Sequence, residues 1–221
     1  MYPEAVPWLL VMLAAFTAHA GGLDPRPRAA DYPLQAALEA GTLAAEYHGR
    51  AFESQAGRFF TQDFLVVEVA LFPSDKPAEF APSHFRLRLN GRPPELLPVT
   101  PGTVALALRN PDQYEQRQQV VAGGGVGGGQ VIFGRPRPVE RFPGDPEARI
   151  PTPGGSRQAS PGEEAAAAAE TAERFGLARV EAPRGGAAGL IYFHWRGKHA
   201  KLKRIELLYD GPAGRAVLRL R

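Results

Sequence analysis

The densest stretch of side chains able to do chemistry runs from Trp195 to Arg204. Arg196, Lys198, Lys201, Lys203 and Arg204 place five formal positive charges within nine residues, with Trp195 and His199 among them and Tyr192 close by. Such a cluster binds anions. In a cytoplasmic protein the expected anion is nucleic acid. In an exported one it is a lipid headgroup, lipopolysaccharide, an acidic polysaccharide or an acidic protein. The plainer alternative is a solvated turn whose charges deter strand edges from pairing. Net charge does not decide between them, because 26 basic and 23 acidic residues leave only +3.

The other candidate chemistries lack parts. His194 and His199 flank a four-residue stretch and are expected to face one another across a hairpin. Two imidazoles so placed need a third or fourth ligand before they hold a metal, and Glu206 is the nearest carboxylate beyond them. The glycine run at 123–129 contains G-x-G-x-x-G, but Val131, Ile132, Phe133, Gly134, Arg135 and Pro136 follow where a dinucleotide site needs a helix. No serine stands in G-x-S-x-G. Ser83 and His84 are neighbours, and neighbours on a strand point to opposite faces. Glu163 and Glu164 sit at a helix start, where the macrodipole explains them. With no cysteine in the chain, thiolate nucleophiles, thiolate metal sites and disulfides are excluded. No catalytic, cofactor-binding or metal residue is therefore assigned, and no cofactor is expected.

Compartment comes from the first 20 residues. Trp8 to Phe16 is a nine-residue apolar run, and Ala18-His19-Ala20 puts small residues where a signal peptidase reads them. The run is too short to span a membrane. Glu4, with no Lys or Arg in the first seven residues, departs from the usual positive start. Export with cleavage near Ala20 is expected, to the periplasm or beyond, leaving no transmembrane segment and no nucleic acid as partner.

The elements that must position the basic run read mostly as strands. Residues 21–33 read as a disordered lead-in, and Leu34 to Tyr47 as a short amphipathic helix stopped by Gly49. Phe64 to Phe72 is a strand with Leu65, Val67, Val69 and Leu71 on one face and Glu68 on a partly wet one. Phe85 to Leu89 alternates cleanly into an Asn90-Gly91 turn, and Thr103 to Arg109 repeats the alternation. Leu190 to Trp195 reads as a central strand. Leu202 to Tyr209 follows, with a turn at Asp210-Gly211, and then Arg215 to Arg221 with Ala216, Leu218 and Leu220 inward. Between the strand groups, residues 134–162 carry seven prolines and should be mobile. Residues 131–133 could add a short strand. Ser160, Pro161 and Glu163 open a helix through Ala165–Ala169 that stops at Gly176.

This pattern predicts a mainly-β antiparallel sandwich with one or two short peripheral helices. One domain spans 34–221, interrupted by a mobile Gly/Pro-rich insertion at about 134–185. The segments FLVVEVALF (Phe64–Phe72), FRLRLNG (Phe85–Gly91) and GLIYFHW…IELLYDG (Gly189–Gly211) resemble exported bacterial proteins with a telokin-like, immunoglobulin-like sandwich. The resemblance implies a binding or structural role and brings no catalytic residues. The expectation is thus a non-catalytic envelope or extracellular binding module. Its partner would be a protein, a polysaccharide or an anionic surface, contacted through Trp195, Arg196, Lys198, His199, Lys201, Lys203 and Arg204. The alternatives are a hydrolase or metal-dependent enzyme with a spatially assembled site, and a scaffold tethered by the proline-rich insertion.

Overall fold

A computed structural model describes residues 22–54, 57–111, 114 and 161–221. The expected signal segment, the glycine run, the expected short strand at 131–133 and the proline-rich stretch up to residue 160 lie outside the described residues. No helix among the described residues is long and apolar enough to cross a membrane.

The chain is mainly β, built from antiparallel sheets packed face to face. Five strands form the larger sheet: β1 (Leu34–Leu38), β2 (Gly41–Gly49), β5 (Phe64–Pro73), β11 (Ala187–His194) and β9 (Pro98–Val99), in that spatial order. The smaller sheet has the order β13 (Gly214–Arg219), β12 (Ile205–Gly211), β7 (Phe85–Leu89) and β8 (Arg92–Leu96). Leu65, Val67, Val69, Leu71, Ile191 and Phe193 point inward from the first sheet. They meet Phe85, Leu87, Ile205, Leu207 and Tyr209 from the second in one continuous core. The sandwich is closed along one side, where β1 lies beside β13 and Ala40 N–H donates to the Ala213 carbonyl at 3.0 Å. Along the other side the edge strands carry Pro93, Pro94 and Pro98, which remove donors and blunt the edges against pairing.

Two short antiparallel pairs complete the strands: β3 (Ala51–Ser54) with β4 (Gly57–Phe60), and β6 (Ala78–Phe80) with β10 (Val180–Ala182). Two helices, α1 (Pro101–Arg109) and α2 (Pro161–Phe175), pack on each other and on the outer face of the larger sheet. There Phe64, Val66, Leu190 and Tyr192 meet Val104 and Ala172. Tyr192 is fully buried and its hydroxyl donates to the Ala172 carbonyl at 3.1 Å. The helices are therefore a covering layer for the central strands, which is why β11 and the Phe64–Val67 part of β5 are apolar on both faces.

Several expectations are corrected. Leu34 to Tyr47 is the β1–β2 hairpin, with Glu39 and Ala40 in the turn. Its alanines satisfy either period, and Leu34, Ala36 and Leu38 pack on the core at strand spacing. Thr103 to Arg109 is helical: Thr100 caps α1 by accepting from Thr103 N–H at 3.3 Å, and Pro101 occupies the first turn. Ala and Leu then favour helix despite their alternation. The last turn is Pro212–Ala213, because Gly211 and Gly214 still pair across β12 and β13. Residues 22–33 are an ordered strap, with Leu23 bridged to Ala188 and Tyr32 buried over Ala44, Ala70 and Ala188. Residues 161–182, placed by sequence inside the mobile insertion, form α2 and β10. Glu68 is only 9% exposed, since the strap covers the face expected to be wet.

Candidate functional site: the basic end of the sandwich

The basic run occupies the crossing from β11, in one sheet, to β12, in the other. That topology separates the two histidines expected to oppose one another in a hairpin. His194 packs edge-on against Phe64 and Tyr114, at 5.7 and 6.2 Å between ring centroids. His199 stacks on Tyr47, with Oη and Nε2 2.9 Å apart. Burial, reinforced by Arg196 and opposed by Asp63, lowers the His194 pKa. Burial together with Arg221 and Arg50 lowers that of His199. Both rings are packing elements, and their surroundings disfavour the charged form.

The crossing is pinned at both ends. Trp195 N–H donates to the Asp63 carbonyl at 2.8 Å, and Arg196 pairs with the Asp63 carboxylate at 2.9 Å. Arg50 stacks on the Trp195 ring at 5.2 Å and donates to the carbonyls of Trp195 (3.1 Å) and Gly197 (2.6 Å). Leu202, buried in the main core, plugs the far end. There the β7–β8 turn meets the loop. Asn90 (φ 53°) and Gly91 (φ 67°) both take left-handed conformations, as a two-residue hairpin turn requires. The Asn90 side chain donates to the Lys201 carbonyl at 3.1 Å. It accepts from the Lys203 and Arg204 N–H groups at 2.8 and 3.2 Å.

The seven residues selected from sequence thus divide. Trp195 and His199 are packed, Arg196 is paired with Asp63, and Arg204 is paired with Glu206, which is only 5% exposed. Lys198, Lys201 and Lys203 are exposed, with no ion-pair partner among the described residues. Sequence reasoning missed Arg92, which joins Asn90, Lys201, Lys203 and Arg204 around a shallow cavity of about 360 Å³. Its contribution depends on β7–β8 lying beside the crossing, which nothing in the local pattern announces.

A second charged cluster, also missed, lies on the outer face of the larger sheet. Glu46 and Glu68 are direct cross-strand partners on β2 and β5, and His48 Nε2 is 3.1 Å from Glu68 Oε2. Ligand atoms of these three residues lie within 4.8 Å of one another, close enough to share a metal ion. Arg26 from the strap already supplies a positive charge there: it hydrogen-bonds Glu46, lies 3.7 Å from Glu68 Oε2 and stacks on Tyr32 at 4.4 Å. Burial alone would push the Glu68 carboxyl up. The His48 hydrogen bond, the Arg26 charge and the Tyr32 hydroxyl outweigh it and hold the pKa below the ordinary value of 4.5. The available sequence signal was a lone Glu in an otherwise apolar strand, together with Glu46 and His48 spaced two apart.

Comparison with protein-family models, with curated proteins and with solved structures finds no match for this chain.

Proposed function

We propose that the chain is an exported, non-catalytic binding module that attaches to an anionic envelope or extracellular surface through the basic end of its sandwich. The observation that carries this reading is the set of exposed cations at one end. Lys198, Lys201, Lys203 and Arg92 come from two elements clamped together by Asn90, and none has an ion-pair partner among the described residues. Export rests on the apolar run and the Ala18-His19-Ala20 site, and the immunoglobulin-like form of the sandwich rests on the strand resemblance.

Each Lys or Arg near an anionic membrane contributes about 1 kcal/mol of attraction. Changing Arg92, Lys198, Lys201 and Lys203 together to Gln should therefore weaken retention on phosphatidylglycerol vesicles by roughly 100-fold or more. Co-sedimentation at low and physiological salt reads this directly, and binding should also fall as salt rises. Retention that survives both the substitutions and salt would defeat the reading. So would a protein recovered from cultures with residues 1–20 still attached.

A metal-dependent reading has one observation in its favour, the convergence of Glu46, His48 and Glu68. Elemental analysis of the purified protein separates the two. If Arg26 is the counter-charge of this cluster, no stoichiometric metal is expected, and a metal lost on Glu68→Gln would support the metal-dependent reading instead.

A further inference from the structure

We infer that the cavity between Arg92 and the Lys201–Arg204 segment is an anchoring site for one phosphomonoester group, carried on a lipid headgroup or a glycan. This rests on the anionic-surface reading and narrows it from diffuse attraction to a defined ligand chemistry. Three features support the narrowing.

The first is rigidity. Four hydrogen bonds sew the β7–β8 turn to the loop. Asn90 N–H donates to the Arg204 carbonyl at 2.7 Å, and the Asn90 side chain makes the other three. The backbone positions of Arg92, Lys201, Lys203 and Arg204 are therefore set relative to one another, where cations on a free loop would spread apart. Preorganised donors lose less freedom when an anion arrives.

The second is charge. Four cations line a single concavity, and only Arg204 has an acidic partner, Glu206. A carboxylate brings one negative charge to such a site, whereas a phosphomonoester brings nearly two at neutral pH and three strong acceptor oxygens. Arg92 offers a planar fork suited to adjacent phosphate oxygens, and the lysines act as point charges.

The third is shape. A cavity of about 360 Å³ is at the small end for ligand sites, suiting a phosphoryl group with the sugar or glycerol that bears it. A nucleic-acid strand would want exposed aromatic rings to stack its bases. No aromatic residue lines the cavity, and Trp195 at the start of the basic run is part-buried against Arg50.

The test uses the full exported chain and two phosphomonoester sources. Vesicles containing phosphatidic acid are compared at equal charge with phosphatidylglycerol vesicles, whose phosphate is a singly charged diester. Glucose 6-phosphate is titrated separately by NMR, following the amides of Gly91 and Lys203, with acetate as control. About tenfold tighter retention on phosphatidic acid is expected if the source is lipid, and saturable shifts with the sugar phosphate if it is a glycan. Arg92→Gln or Lys203→Gln should abolish whichever preference is found, while Lys76→Gln, an exposed cation outside both the cavity and the basic run, should leave it. Asn90→Gly keeps the left-handed turn but removes the clamp, and should lose the preference while retaining every charge. Should that variant unfold, Arg92→Gln decides alone. Equal retention on both vesicle types with no sugar-phosphate binding overturns the anchoring site and leaves the surface reading standing. Sugar-phosphate binding without retention on any anionic vesicle does the reverse. Equal losses of that preference from Lys76→Gln and Lys203→Gln also overturn the site, because attraction would then be diffuse.

Discussion

Arg26→Gln is expected to destabilise the protein by about 2–3 kcal/mol at neutral pH, somewhat less than breaking a fully buried ion pair. The reduction reflects the one-third exposure of the Arg26 side chain, which lets solvent screen part of the interaction. What remains is large because Glu46 and Glu68 face one another across adjacent strands, and the strap shields them from water. Without the guanidinium, two carboxylates stand side by side with His48 and Tyr32 as the remaining partners of Glu68. The double change Arg26→Gln with Glu68→Gln should cost less than the sum of the single changes, and urea denaturation of the four proteins measures the coupling. The sign with pH follows from the direction of the Glu68 shift. A carboxyl held below 4.5 when folded stabilises the protein above that pH, and the contribution is lost as the pH falls through the lower folded value. In Arg26→Gln one of the forces lowering the pKa is gone while burial still raises it. Acid unfolding should therefore begin at a higher pH than in the parent protein. Equal acid midpoints in the two would show that Arg26 is not the counter-charge.

Gly189→Ala is expected to cost about 2–3 kcal/mol, the upper part of the range for forcing a methyl group into a packed site. A Cβ at this position would stand 2.7 Å from Leu177 Cα and 2.9 Å from its nitrogen. Those atoms belong to the backbone that leaves α2 and docks on β11, where Leu177 N–H donates to the Leu190 carbonyl at 2.8 Å. A side chain could rotate away; this backbone would have to lift, loosening the end of the helix that covers Tyr192. Gly185, whose Cβ would meet nothing within 4 Å, is the matched control and should tolerate Ala within about 0.5 kcal/mol. Comparable losses at both positions would mean that glycine flexibility, not the close approach, sets the effect.

The charged cluster and the glycine contact share a reason for being hidden. Each depends on which segment lies across a strand, and strand periodicity says only which face a residue takes. Phe85 to Leu89 with its Asn90-Gly91 turn was legible because alternation and turn chemistry act over a few neighbouring residues. The central strand at β11 was legible because apolar and aromatic residues on both faces demand cover on both. Leu34 to Tyr47 was misread because alanine carries no strong preference for either face, leaving the choice to the pairing of β2 with β5. Thr103 to Arg109 failed differently, since an alternating apolar sequence can also be a helix once Thr100 and Pro101 start one.

The amino-acid sequence by itself determined the antiparallel sandwich, five of its thirteen described strands (β5, β7, β11, β12 and β13), the helix after Pro161, the absence of thiol chemistry and the concentration of charge between Arg196 and Arg204. Those are properties of local period, composition and turn residues. Only the tertiary structure decided which charges are free. It tied Arg196 to Asp63 and Arg204 to Glu206, left Lys198, Lys201 and Lys203 exposed, and brought Arg92 to the same cavity from another sheet strand. It also turned an apparent lead-in into the strap that carries Arg26 to Glu46 and Glu68. Charge is written in the sequence, but its neutralisation depends on distances of a few ångströms between residues far apart in the chain, and packing alone sets those distances.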